Sequence, residues 1–294
     1  MGAGRIVVVG REGKILSRAI ANQPAHYMDV RPWDYQSSGT ACDLKRVRFI
    51  NGRFVAIGER FADGQNAAGD RNDILTSLDG ITWTRHRFSA AALGGQTEDM
   101  LDILYQSGGT PGTGSWLVGI NRAGRFLRFS ENFSSVTRVN VAGLGIGQQV
   151  CFGSGVYVIA SETGLFRSVD GMTFSPVLAE SSYKLAHDGT RFVAFMHYYG
   201  PGSIWHSTDG LGWTEASSVP SLEALTTWLI GCQGLWLAGS AQRGLSSKPS
   251  GLPQITAQPA PFTLLHQGGS VTLSVTVAEA PNTSFAWYRG SEGF

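Results

Sequence analysis

Helix-building material is nearly missing from this chain of 294 residues: charged residues are only 15% of it, and stretches rich in Glu, Lys and Ala are scarce. Cysteine is rarer still. Cys42, Cys151 and Cys232 are odd in number and far apart, which excludes a C-x-x-C redox motif, metal-ligand spacing and a disulfide scaffold, and leaves three buried free thiols. An excess of charge is absent too. With 23 Lys and Arg against 22 Asp and Glu, nothing steers the chain toward nucleic acid or an anionic membrane surface. No apolar run approaches the roughly 20 residues of a membrane span, so membrane insertion is not expected. No Gly-rich phosphate loop, His-x-x-x-His pair or nucleophile elbow occurs, and the six histidines are dispersed. No catalytic residue, metal or cofactor is expected from such a sequence.

Glycine, by contrast, is abundant at 39 residues. Many tight turns and few charges fit an all-β protein. Three segments repeat one design: Ile74-Leu-Thr-Ser-Leu-Asp-Gly-Ile-Thr-Trp83, Leu165-Phe-Arg-Ser-Val-Asp-Gly-Met-Thr-Phe174 and Ile204-Trp-His-Ser-Thr-Asp-Gly-Leu-Gly-Trp213. Each is an apolar strand, then Ser-x-Asp-Gly, then an aromatic. Weaker copies lie at Ser17, Ser130 and Ser246, and the steps from Ser130 to Ser168, Ser207 and Ser246 are 38, 39 and 39 residues. That spacing suits one four-stranded propeller blade of ~40–45 residues. Longer steps on the N-terminal side imply loop insertions.

A second recurrence precedes each motif. Phe49-Ile-Asn-Gly-Arg-Phe-Val-Ala-Ile57, Phe152-Gly-Ser-Gly-Val-Tyr-Val-Ile-Ala160, His187-Asp-Gly-Thr-Arg-Phe-Val-Ala-Phe195 and Gly231-Cys-Gln-Gly-Leu-Trp-Leu-Ala-Gly239 all read as hairpins. The unit is strand a, Gly turn, strand b, loop, strand c, Ser-x-Asp-Gly turn, strand d. About six such units over residues 1–251 predict a β-propeller, whose radial packing leaves only short protected edges. The ring has an imperfect seam, because the chain enters at a strand-b-like segment and lacks an obvious strand d after Ser247.

Beyond Gly251 the pattern changes to a Pro-rich junction and then strict alternation over residues 268–277, followed by an apolar stretch around Trp287. Residues 252–294 look like strands A to C of an immunoglobulin-like sandwich, which needs about 100 residues. The module stops half-built. With no secretory segment at the other end, the sequence reads as a piece of a longer parent chain or assembly.

The Ser-x-Asp-Gly-x-x-Trp hairpin resembles the Asp-box, or BNR, repeat of sialidase-like propellers, one residue shorter between Asp and Gly. Together with the C-terminal alternation, the chain resembles large secreted bacterial surface proteins, and similar repeats occur in phage tail proteins. That resemblance implies an extracellular or cell-surface protein, with the phage virion as alternative. Its role would be non-enzymatic recognition or spacing, with carbohydrate or protein as ligand. The alternatives are a sialidase-like glycoside hydrolase and an intracellular propeller scaffold.

Physics assigns the motif residues to the turn itself. Asp and Ser side chains satisfy backbone groups of their own turn, Gly supplies positive φ, and the aromatic packs across the hairpin. Ser77, Asp79, Gly80 and Trp83, Ser168, Asp170, Gly171 and Phe174, and Ser207, Asp209, Gly210 and Trp213 are therefore expected to be architectural. Sialidases clamp a carboxylate with three arginines; here Arg5, Arg125, Arg128 and Arg191 are the candidates, each in an undistinguished strand or turn. Ligand binding is expected instead on the face bearing the b–c and d–a loops. Its candidate residues are Asp63, Arg71, Gln96, Glu98, His197, Tyr198 and Tyr199, the tyrosines offering a stacking surface.

Overall fold

A computed structural model of the protein describes residues 2–20, 33–59, 71–93, 97–108, 110, 112–196, 203–216, 228–232, 235–239, 244–246, 254–257 and 276–278. The chain divides into two compact units, Met1–Leu245 and Ser246–Phe294. Apart from one 3-10 turn at Arg11–Gly13, the described elements are all β-strands.

Strands β1 (Arg5–Val9), β2 (Ile15–Ala19) and β3 (Asp34–Gln36) form the first sheet. The second holds β4 (Leu44–Ile50), β5 (Arg53–Gly58), β6 (Arg71–Ser77) and β7 (Thr84–Ser89), and the third β8 (Met100–Gln106), β9 (Ser115–Ile120), β10 (Arg125–Ser130) and β11 (Val136–Asn140). The fourth holds β12 (Gln149–Gly153), β13 (Val156–Ser161), β14 (Gly164–Ser168) and β15 (Ser175–Leu178). In the fifth are β16 (Ser182–His187), β17 (Phe192–Met196), β18 (Ser203–Ser207) and β19 (Thr214–Glu215), and in a sixth β20 (Trp228–Cys232), β21 (Leu235–Gly239) and β22 (Gly244–Ser246). Within every sheet the strands follow chain order and pair antiparallel wherever a register is defined.

The first strands β4, β8, β12, β16 and β20 touch in succession, which is the inner ring of a propeller. Five apolar clusters fill the spaces between consecutive sheets. Strand β5 shows why: Val55 and Ile57 turn toward the third sheet while Ala56 turns toward the first. Side chains alternate across a strand, so a strand packed on both faces must be apolar throughout. Accordingly β9, β13 and β17 are buried at every position.

The outer sheets are three-stranded among the described residues. Gly13 N donates to Cys42 O just as Gly124 N donates to Leu144 O. Gly124 precedes the third strand of its sheet, so β2 occupies a third-strand place and β1 a second-strand place. In the second unit, β23 (Gln254–Ala257) pairs antiparallel with β24 (Thr276–Ala278). An immunoglobulin-like sandwich is not among the described elements, and Trp287 lies outside them. Cys42 and Cys151 are buried thiols without a disulfide.

Candidate functional site

The three Ser-x-Asp-Gly turns join the third and fourth strands of sheets two, four and five, and their polar atoms bond to their own backbone. Asp79 Oδ1 accepts from Ser77 Oγ at 2.9 Å and from the N–H groups of Ile81 and Thr82 at 2.8 Å each. Ser77 Oγ accepts from Gly80 N at 2.8 Å. The same bonds recur around Asp170 with Met172 and Thr173, and around Asp209 with Leu211 and Gly212. These backbone N–H groups hold the Asp79 and Asp170 carboxyls down at about 2 and the Asp209 carboxyl below the usual carboxylate range. Gly80, Gly171 and Gly210 have φ of 72°, 68° and 72°, the left-handed region where glycine costs least. Trp83 lies 6.3 Å from Phe54 at 45°, and Trp213 lies 6.3 Å from Phe192 at 46°.

The loop-face candidates fare differently. Asp63, Gln96, His197, Tyr198 and Tyr199 lie outside the described residues. Arg71 opens β6 opposite Ser89, with its side chain also outside them. Glu98 is buried and spent on arginines, its Oε1 lying 3.1 Å from Arg125 Nη2 and 3.6 Å from Arg122 Nε.

The arginines considered for a carboxylate clamp go separate ways. Arg5 donates to Ser17 and Asp34, Arg125 to Glu98, Arg128 to Ser115 and Gln106, and Arg191 to Asp188. Among the described residues no group of three or more His, Cys, Asp and Glu side chains could hold a metal ion.

Sequence reading missed the polar cluster on the inner strands. Three of them carry a register shift at the same early position, between Leu44 and Arg46, Met100 and Asp102, and Ser182 and Lys184. A β-bulge adds a residue and re-aims the side chain that follows, here Arg46, Asp102 and Lys184. Asp102 is fully buried. Its carboxylate takes Arg48 Nη2 at 2.7 Å, Arg46 Nε at 3.3 Å and Val150 N at 3.2 Å, tying β4, β8 and β12 together. Gln149 Oε1 continues the ring by accepting from Leu185 N at 3.0 Å. Removing one partner from such a buried charge is costly, since the other is left uncompensated.

Lys184 completes the cluster. Burial, and next the Arg46 charge, hold its ammonium below the usual lysine range, while Asp102 opposes them. Arg46 is in the second sheet and Lys184 in the fifth, with two sheets between them in chain order. Cys151 faces the same charges, and burial pushes its thiol up to about 12, leaving it neutral and unreactive. Two arginines thus bind one buried carboxylate at the start of the inner strands, and Lys184 feels its charge. The available signal was an Asp inside the apolar run Met100-Leu-Asp-Ile-Leu104, preceded one blade earlier by Arg46 and Arg48 on alternating positions.

No family model matches the chain, and no curated protein does. Solved structures do. The chain is similar to the β-propeller domain of Myceliophteria thermophila Cps50 (Swd1), at 11% identity over 81% of this chain and 77% of that one, with a TM-score of 0.54. It is similar to the WD40 repeats of RRP9 at 9% identity over 82% and 70%, TM-score 0.57. It is also similar to YCF48 bound to D1 peptide, at 13% identity over 83% and 74%, TM-score 0.52. At these identities the likeness carries the fold alone, and the fold is a β-propeller.

Several expectations are thereby corrected. Among these three solved structures, one is described by its WD40 repeats and one by its β-propeller domain, and none is described as a sialidase-like, BNR-repeat, cell-surface or phage protein. The extracellular or cell-surface location, the phage virion and the carbohydrate ligand were implied by the resemblance to Asp-box repeats and secreted surface proteins. A self-satisfied turn of this kind is a folding device that reports neither compartment nor ligand.

Proposed function

We propose that the chain is a non-enzymatic, intracellular propeller scaffold that docks an acidic polypeptide segment at the centre of its ring. The observation that carries this reading is Lys184, which follows a β-bulge, whose ammonium makes no hydrogen bond or ion pair among the described residues, and which feels the charges of Arg46 and the buried Asp102. Asp102 is already committed to the arginines, so Lys184 is the cation available to a guest carboxylate. A polypeptide guest is supported by the YCF48 propeller, solved with a D1 peptide. Residues 1–251 supply the scaffold, with the Ser-x-Asp-Gly turns as internal architecture. Residues 252–294 are read as a separate module, the opening strands of an immunoglobulin-like sandwich.

The test is fluorescence anisotropy with labelled acidic, neutral and basic peptides of equal length. The acidic peptide should bind, and Lys184→Glu should weaken it roughly tenfold or more, because a charge-assisted bond becomes a repulsion. Equal binding of all three peptides, or an unchanged affinity in Lys184→Glu, would exclude the central site.

A further inference from the structure

The third sheet carries a second group of cations, built around Glu98 in the segment that leads into β8. Glu98 is 8% exposed, and its backbone is clamped by the Asn72 side chain, which accepts from Glu98 N at 3.1 Å and donates to Glu98 O at 2.7 Å. Arg122 and Arg125 approach the Glu98 carboxylate from the start of the β9–β10 connection and the start of β10. A third guanidinium joins from the outermost strand. Arg138 on β11 stands opposite Leu127, two residues from Arg125, so Arg125 and Arg138 share a face of the sheet.

The charges acting on Arg138 are unbalanced. Arg125 and Arg122 repel it while Glu98 attracts it. Burial, then Arg125, draws the Arg138 pKa below the ordinary arginine value. Its bonding is unfinished as well: Arg138 Nε and Nη2, and Arg125 Nε, are shielded from water and donate to no acceptor among the described residues. A guanidinium donor shielded without an acceptor costs free energy that an acceptor would return. Nε and Nη2 are one edge of the planar guanidinium, the edge that grips an oxyanion with two parallel bonds. Arg122, with 45% of its side chain exposed, offers the approach from solvent.

We infer that Arg125 and Arg138, with Arg122 at the rim, form an oxyanion site for a phosphoryl group. A phosphoryl group supplies two charges and several acceptor oxygens to donors that Glu98 leaves unsatisfied. Its source is free phosphate or a phosphorylated residue on a polypeptide. The site shares no residue with the Lys184 cluster, so the two proposals can be tested separately.

The experiment follows the arginine Nε–H resonances of the whole wild-type protein during titration with inorganic phosphate at constant ionic strength. The Arg125 and Arg138 signals should shift saturably, and Lys184→Glu should leave those shifts intact even if it abolishes acidic-peptide binding. Arg138→Gln should weaken phosphate roughly tenfold or more, the loss expected for a charged hydrogen-bond pair. Arg138→Lys, which keeps the charge but not the fork, should lose a similar factor. A phosphoserine peptide that binds more tightly than phosphate and than its unphosphorylated counterpart identifies a modified polypeptide as the source; equal binding by phosphate identifies the free ion. Absence of saturable shifts at Arg125 and Arg138, unchanged affinity in Arg138→Gln, or equal binding of acetate would overturn the assignment.

Discussion

The turn between β10 and β11 in the third sheet does the work of the Ser-x-Asp-Gly turns in sheets two, four and five with different chemistry. In Ser130-Glu-Asn-Phe133 an amide replaces the carboxylate and a phenyl ring replaces the glycine's hydrogen. Asn132 Oδ1 still accepts from Ser130 Oγ and from Ser134 N, both at 3.0 Å. Phe133 sits at φ 59°, a conformation that costs an L-residue roughly 1–2 kcal/mol. Its ring is 4% exposed, stacks on Trp116 at 5.3 Å and 18°, and lies 4.8 Å from His86. The comparison separates two roles. Three turns are relaxed in backbone and held by a charge, whereas the fourth accepts backbone strain to anchor the interface between the second and third sheets.

The largest expected effect is at that anchor. Phe133→Gly should restore an easy backbone but empty a pocket of the core, for a net loss of about 2–4 kcal/mol, read as a lower urea midpoint. A variant as stable as the wild type would show that the ring contributes nothing. Next comes the reverse exchange. In Gly80→Ala the new Cβ would stand 3.0 Å from Val7 Cγ2 and 3.1 Å from Phe54 Cε2 at a φ of 72°, so about 1–3 kcal/mol should be lost. Gly210 meets Val158 Cγ2 at 3.0 Å with the same φ, and Gly210→Ala should behave alike. If either alanine variant is neutral, the glycine was not chosen for its backbone.

Much of this contrast was legible in the sequence, and the illegible part has a physical reason. Strands such as β5 and β17 could be read because their recurrence places a Gly turn before an apolar run buried on both faces. The Ser-x-Asp-Gly segments could be read as turns because their hydrogen bonds are local, closing within three residues. Asp102 could not be placed, since its partners Arg46, Arg48 and Val150 come from the strands of other blades. Nor does a β-bulge such as that at Leu101 announce itself without the register of the partner strand. The burial of Glu98 was illegible for a related reason: a d–a loop looks exposed in sequence, yet the Asn72 side chain holds the backbone of Glu98 through two hydrogen bonds.

A smaller effect is expected at the charged turns. Asp209→Ala should cost about 1 kcal/mol, because water replaces much of what an exposed carboxylate provides. Peptide binding should be unchanged in the folded variant. Loss of binding at an unchanged melting temperature would give the aspartate a functional role and end the architectural reading of the motif.

The smallest effect is in pH dependence, and it distinguishes the two kinds of turn most directly. Folded Asp79 and Asp170 titrate at about 2 and Asp209 below its ordinary value, whereas an unfolded Asp titrates near ~3.9. Between those limits the unfolded chain binds more protons than the folded one. The turns therefore contribute their stability fully above about pH 4 and lose it as the pH falls toward 2. All three carboxylates are solvent-exposed, so screening keeps each contribution small. Asn132 cannot titrate, so its turn adds nothing to this slope. Asp79→Asn, Asp170→Asn and Asp209→Asn combined should flatten the fall in urea midpoint between pH 5 and pH 2.5, whatever they do to the midpoint at pH 7. Asn132→Asp should steepen it, since the new carboxylate would inherit the Ser130 and Ser134 donors. A triple variant with the wild-type slope would mean that these aspartates do not couple protonation to folding, and that the charge in three turns and its absence in the fourth are equivalent.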